Sequence, residues 1–215
     1  MERGGRSGAL SGLVFAVLFV AGLIPLGELL GSFGDSDATF DTYFGSGSNR
    51  VGSIVGGFLL AASGLAFLWF LSHLHRSLLP PDGRSTTLPV VASAAGVVFV
   101  ALLLGGSAAL VTVPFAIAFG NVFDTRGVLV TGKALLPQLG YVLLAVYALW
   151  AAGVMVVAAT ISGRRSGAFP RWLGPLGFVA AGLLFLLGTS VIGLFALPLW
   201  VLAISLVSFR RGSGS

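Results

Sequence analysis

Long uncharged intervals separated by short charged ones set the pattern of this chain. Between Arg6 and Glu28 lie 21 uncharged residues, with an apolar run from Leu13 to Ile24 that continues past Pro25. About 20 such residues cross the roughly 30 Å hydrocarbon core of a bilayer as one helix. A first span is therefore expected over about 9–30. A signal peptide is the competing reading, because Arg3 and Arg6 look like its basic start. The apolar run is long and no clear small-x-small cleavage site follows it, so an uncleaved helix is the expectation.

Gly31 to Asn49 reads as a polar loop carrying Asp35, Asp37 and Asp41. A second helix is expected over 51–73, and Pro80, Pro81, Asp82, Gly83 and Arg84 form a turn that cannot continue it. From Ser85 to Phe123 there are 39 uncharged residues. As one helix they would reach about 58 Å, far beyond the bilayer, yet they are barely enough for two spans and a turn. One long helix over 88–117, kinked or ended near Pro114, is expected, followed by a polar interfacial loop over 120–133. A fourth helix covers 134–161 and leads into the basic segment of Arg164, Arg165 and Arg171. The last uncharged interval, Trp172 to Phe209, has 38 residues, and Gly188, Thr189 and Ser190 interrupt it. That spacing predicts a hairpin of two short helices, 172–187 and 191–208, with a flexible tail from Arg210. The expected fold is all-α: a polytopic transmembrane bundle of six helices forming a single transmembrane domain over 1–215.

Composition agrees. Hydrophobic residues make up 56% of the chain and charged ones 9%, against about 25% charged in soluble domains. A soluble fold with so few charges would expose aggregating apolar patches. The expected partner is the lipid bilayer. The net charge of +5 does not point to nucleic acid, because the basic residues flank apolar runs as orientation signals. With six spans, one side holds Arg3, Arg6, Arg76, Arg84, Arg164, Arg165, Arg171, Arg210 and Arg211, and the other only Arg50, Arg126 and Lys133. The positive-inside rule then places both termini in the cytoplasm. The acidic residues run the other way, with Glu28, Asp35, Asp37, Asp41 and Asp124 outside. Eleven Arg to one Lys, with abundant Gly, Ala and Val, fits a GC-rich bacterial genome and hence the inner (plasma) membrane.

Candidate chemistry is sparse. The chain has no cysteine, which excludes disulfides, thiolate metal sites and cysteine nucleophiles. Ionisable groups deep in lipid are functional candidates, and Glu28, three residues after Pro25, is the nearest case. It is a cation or proton site in an outward cleft or, as we expect, a carboxylate reaching the outer headgroups. His73 and His75 are two apart, whereas residues sharing a helix face are three or four apart, so no metal pair is expected. Counting from Asp35, a calcium loop would need Gly at the sixth position and Glu at the twelfth. Phe40 and Ser46 stand there, and the loop reads as acidic and solvated. Rhomboid-type intramembrane proteases carry a Gly-x-Ser-Gly motif and a later His. Here Ser63-Gly64 follows Ala61-Ala62 and no His follows His75, so that base is missing. No phosphate-binding Gly-rich loop with a following Lys-Ser/Thr occurs. No catalytic residue, metal site or cofactor is expected.

Small residues give the clearest positive signal. Gly52 and Gly56 form a GxxxG motif extended by Gly57, Ala61 and Gly64, of the kind that lets helix backbones approach closely in lipid. Close packing inside the monomer is the first expectation; such a face also suits a membrane-protein partner or a second copy of the chain. Gln138 and Tyr141 share a helix side and are candidates for a polar cavity with Thr112 or Ser107, or for plain interhelical hydrogen bonds. Trp69, Trp172 and Trp200 are expected at the interfaces, as aromatic anchors are.

The Arg-flanked first helix, the acidic loop, Asn49-Arg50 before the second helix and the segment Pro170-Arg171-Trp172-Leu173-Gly174 together resemble a family of small six-helix bacterial membrane proteins defined as a domain of unknown function. The resemblance implies no activity and transfers no functional residue. Three function classes remain, in order: an accessory or interaction protein, a small-solute transporter or channel using broken helices at Pro25, Pro114 and Pro198, and a membrane-embedded enzyme.

Overall fold

The computed structural model describes residues 3–31, 37–79, 87–120, 134–188 and 190–212. Within them every regular element is helical. That is the expected solution for apolar sequence, since only a helix or a closed barrel satisfies its backbone hydrogen bonds without water. Helix α1 (Arg3–Leu23) runs through a 3₁₀ turn at Ile24–Leu26, where Pro25 sits, into α2 (Gly27–Gly31). Helix α3 (Asp37–Gly45) is short, and α4 (Gly47–Leu78) and α5 (Thr87–Ala118) have 32 residues each. The next span is composite: α6 (Leu135–Tyr141), a π-helical segment (Val142–Ala148) and α7 (Leu149–Arg165). Helices α8 (Leu173–Leu186) and α9 (Val191–Gly212) close the chain.

Close approaches at glycines fix the register, and each successive long helix runs antiparallel to the one before. Gly22 and Gly56 face one another between α1 and α4; Gly64 meets Leu103 and Val100 between α4 and α5; Gly106 and Gly140 meet between α5 and α6. Gly174 lies beside Arg164, Gly177 beside Thr160 and Gly153 beside Phe185, which pairs α8 with α7. Gly12 meets Ser205 and Val201, so α9 returns to α1. The start of α1 and the end of α9 consequently lie at one end of the bundle. Arg76, Arg164, Arg165 and Arg171 share that arginine end, and α3 caps the other.

The interior is largely apolar and aromatic. Phe15, Phe19, Phe67, Phe70 and Phe99 are buried together, with ring centroids 4.8 Å apart for Phe15–Phe67 and 5.0 Å for Phe67–Phe99. Outward, Phe58, Leu65, Trp69, Val97 and Val179 are exposed. Such a belt is untenable in water and normal against lipid.

Several expectations need correction. The segment read as a loop from Gly31 to Asn49 contains α3, because Phe40, Tyr43 and Phe44 recur on one face and are buried. Helix α5 matches the expected 88–117 closely, and of the two expectations at Pro114 an end is not what occurs: the helix runs through it to Ala118. Helix α4 extends beyond 51–73 at both ends, carrying its polar last turn with it. Trp200 is not at an interface: it is 1% exposed in the core. The turn at 80–84, most of the interfacial loop over 120–133 and the tail beyond Gly212 lie outside the described residues.

Candidate functional site at the α3 end

The polar side chains gather where α2, α3 and the first turn of α4 meet. Three features build this cup. Pro25 breaks the regular bonding of the first span and re-aims its last turn, placing Glu28 on an exposed surface. Tyr43, on the buried face of α3, shares a 3.0 Å hydrogen bond with Ser53 of α4. Arg50 of α4 donates to the carbonyl of Phe44 at 2.7 Å and to that of Gly45 at 3.4 Å. Those carbonyls end α3 and have no partner within it, so the guanidinium serves as its C-terminal cap.

The result is an open cavity of about 660 Å³ lined by Glu28, Ala38, Thr39, Thr42, Tyr43, Ser46 and Asn49. Its walls offer one carboxylate, several hydroxyls and an amide. Burial pushes the Tyr43 phenol above its ordinary value of 10; the Ser53 hydrogen bond acts against that rise, and the negative charge of Glu28 adds to it. Tyr43 is therefore a neutral hydroxyl at physiological pH, able to donate or accept. The chemistry suits recognition of a polar solute or a polar protein surface through hydrogen bonds, with one negative charge at the rim.

Of the sequence candidates, only Glu28 lines this cup. Gln138 and Tyr141 are half-buried on α6. Thr112 and Ser107 line a different cavity, an apolar groove of about 470 Å³ between α4 and α5 with Gly57, Phe58, Val111 and Phe115. Their hydroxyls are spent on their own helix, at Ala108 and Leu103. Gly52 and Gly56 face Pro25 and Gly22 of the first span, whereas Gly57 and Gly64 face α5. The small-residue stripe thus serves two neighbours. His73 packs on Gly8 of α1, while His75 bonds Ser93 of α5 at 2.7 Å, so the two rings diverge. Among the described residues no group of three metal-ligating side chains occurs. Sequence reading missed Tyr43, Ser53 and the capping role of Arg50; the signal was the apolar i, i+3, i+4 spacing of Phe40, Tyr43 and Phe44 inside an otherwise polar stretch.

Among the described residues, five helices are long and apolar enough to cross a bilayer: Gly8–Gly31, Gly47–Leu78, Thr87–Ala118, Leu135–Arg165 and Ile192–Phe209. These, with the outward apolar belt, define a multi-pass α-helical membrane protein. The chain matches no family model, no curated protein sequence and no solved structure.

Proposed function

We propose that this is a six-span bacterial inner-membrane protein with both termini in the cytoplasm, acting as an accessory or interaction protein that presents the α3 cup on the outer face. The observation carrying this reading is the division of the described residues into a closely packed aromatic interior and a polar cup at one end. Phe15, Phe67, Phe70, Phe99 and Trp200 fill the space that a solute path would need. The sixth span is α8. Its 14 residues reach about 21 Å, short of the roughly 30 Å core. It packs along α7 from Arg164 to Phe185's contact at Gly153, and the Trp172 and Leu187 flanks with local thinning supply the remainder. The sign of the arginine end supports a cytoplasmic placement. Kinship with the six-helix family that the Pro170–Gly174 segment resembles belongs to the same proposal.

A transporter is the second reading, favoured by Glu28 at the rim of an outward cavity. Proteoliposomes holding the wild type or Glu28→Gln separate the two. Under an imposed gradient, proton and cation flux should stay at the lipid leak in both. Flux in the wild type that vanishes in the variant would replace the accessory reading with a coupled transporter.

A further inference from the structure

A second cavity, of about 340 Å³, lies at the arginine end and is lined by Ile161, Arg164 and Arg165 of α7 and Phe178 of α8. Its two ends differ in chemistry. Arg164 and Arg165 occupy the last turn of α7, both exposed. Ile161 lies one turn deeper toward the middle of the bundle, and Phe178, exposed on the outward belt, lies deeper along α8.

Gly174 of α8 lies beside the Arg164 side chain. A Cβ there would stand 2.8 Å from Cδ and 3.2 Å from Nε of Arg164, so glycine gives this side chain room to lie across the first turn of α8. Neither arginine meets a carboxylate among the described residues; Glu28 and Asp41 are at the other end of the bundle. Trp172, also exposed, begins the α8 flank at the headgroup level.

A cleft with two guanidiniums at its interfacial end and apolar side chains at its lipid end matches one occupant. We propose that the cleft between α7 and α8 binds an anionic diacyl phospholipid, with its phosphate between Arg164 and Arg165 and an acyl chain along Ile161 and Phe178. Guanidinium forks match phosphate oxygens in charge and geometry, and basic pockets between spans on the cytoplasmic side suit anionic headgroups. This rests on the arginine end lying in the headgroup region, and not on the accessory role or the α3 cup.

The test uses full-length protein in a neutral detergent, with thermal unfolding followed as dioleoyl-phosphatidylglycerol, dioleoyl-phosphatidylcholine or inorganic phosphate is added. Phosphatidylglycerol should raise the unfolding temperature saturably, and phosphatidylcholine and phosphate should not. Arg164→Gln/Arg165→Gln should raise the half-saturating phosphatidylglycerol concentration about tenfold or more. Arg171→Gln removes a charge at the same end but outside the cavity, and should change it less than about twofold. An unchanged response in the double variant, or an equal loss with Arg171→Gln, overturns the site. If the double variant does not fold, the wild type still decides: equal stabilisation by the two lipids overturns the proposal. Stabilisation by phosphate alone assigns the cleft to a soluble anion and overturns the lipid. A chain that stays in solution without detergent would instead refute the membrane reading itself.

Discussion

Single atoms decide how closely these helices pack. A Cβ at position 56 would stand 2.8 Å from the Gly22 carbonyl oxygen and 2.9 Å from Leu26 and Pro25 carbons. The carbonyl belongs to the backbone and cannot swing aside, so Gly56→Ala must push α1 from α4, at a cost of about 1–3 kcal/mol. Gly182 faces open space, and alanine there gains helix propensity of roughly 0.5–1 kcal/mol. The unfolding temperature in detergent should drop by about 3 °C or more for Gly56→Ala and hold or rise for Gly182→Ala. Equal behaviour of the two would remove the close-approach argument. Thr160 makes the opposite case. Its hydroxyl is buried against Gly177 with no hydrogen-bond partner among the described residues. Burying an unpaired hydroxyl is unfavourable by about 1–3 kcal/mol, and valine keeps the shape. Thr160→Val should be neutral or stabilising; a clear drop in unfolding temperature would show that the hydroxyl bonds after all.

Among elements, α3 is the one that depends most on individual polar contacts. Its buried face meets α4 through the Tyr43–Ser53 bond, and its end is held by Arg50. The Tyr43 phenol is raised above 10 in the fold and titrates lower once unfolded. Its stabilising contribution is therefore complete below pH 10 and fades as pH climbs through the folded value. Tyr43→Phe lacks this group. The stability difference between wild type and Tyr43→Phe should be the same at pH 7 and 9 and should shift against the wild type near pH 11. A difference independent of pH through that range would mean that Tyr43 is not held protonated. At the other end, α7 stops because Ser166 bonds back to Ser162 and Gly167 takes a left-handed φ of 71°, a conformation glycine adopts freely. Phe169 then folds onto Gly163, which turns the chain tightly enough for α8 to lie along α7.

For the whole molecule, the antiparallel succession of helices places the start of α1 and the end of α9 at the same end of the bundle. Reporter fusions at Ser215 and near Ser46 should report opposite sides of the membrane, with Ser215 cytoplasmic. A same-side result would sink the six-span topology. The positions of the membrane-crossing helices were legible in the sequence because the bilayer imposes a length on every uncharged interval, and a chain in lipid has no other way to satisfy its backbone. Hence 88–117 and 191–208 lie close to α5 and α9. The sequence also marked Gly56 as a contact, through spacing alone. Tertiary structure decided the rest. Pro114 and Pro198 remain within continuous helices, although a proline's local cost argues for a break. Trp200 went into the core because α9 folds back on α1, while Trp69 is 77% exposed on the outward belt; the same residue type suits both places, since its large ring is at home in either apolar setting. Helix α3 is the instructive miss: its three buried aromatics are too few to declare a helix by pattern, and the surface that buries them, to which α4 contributes, exists only in the fold. Which polar residues share one cup, Glu28 with Tyr43 and Asn49, depends on distances between separate segments of the chain, and no local periodicity encodes those.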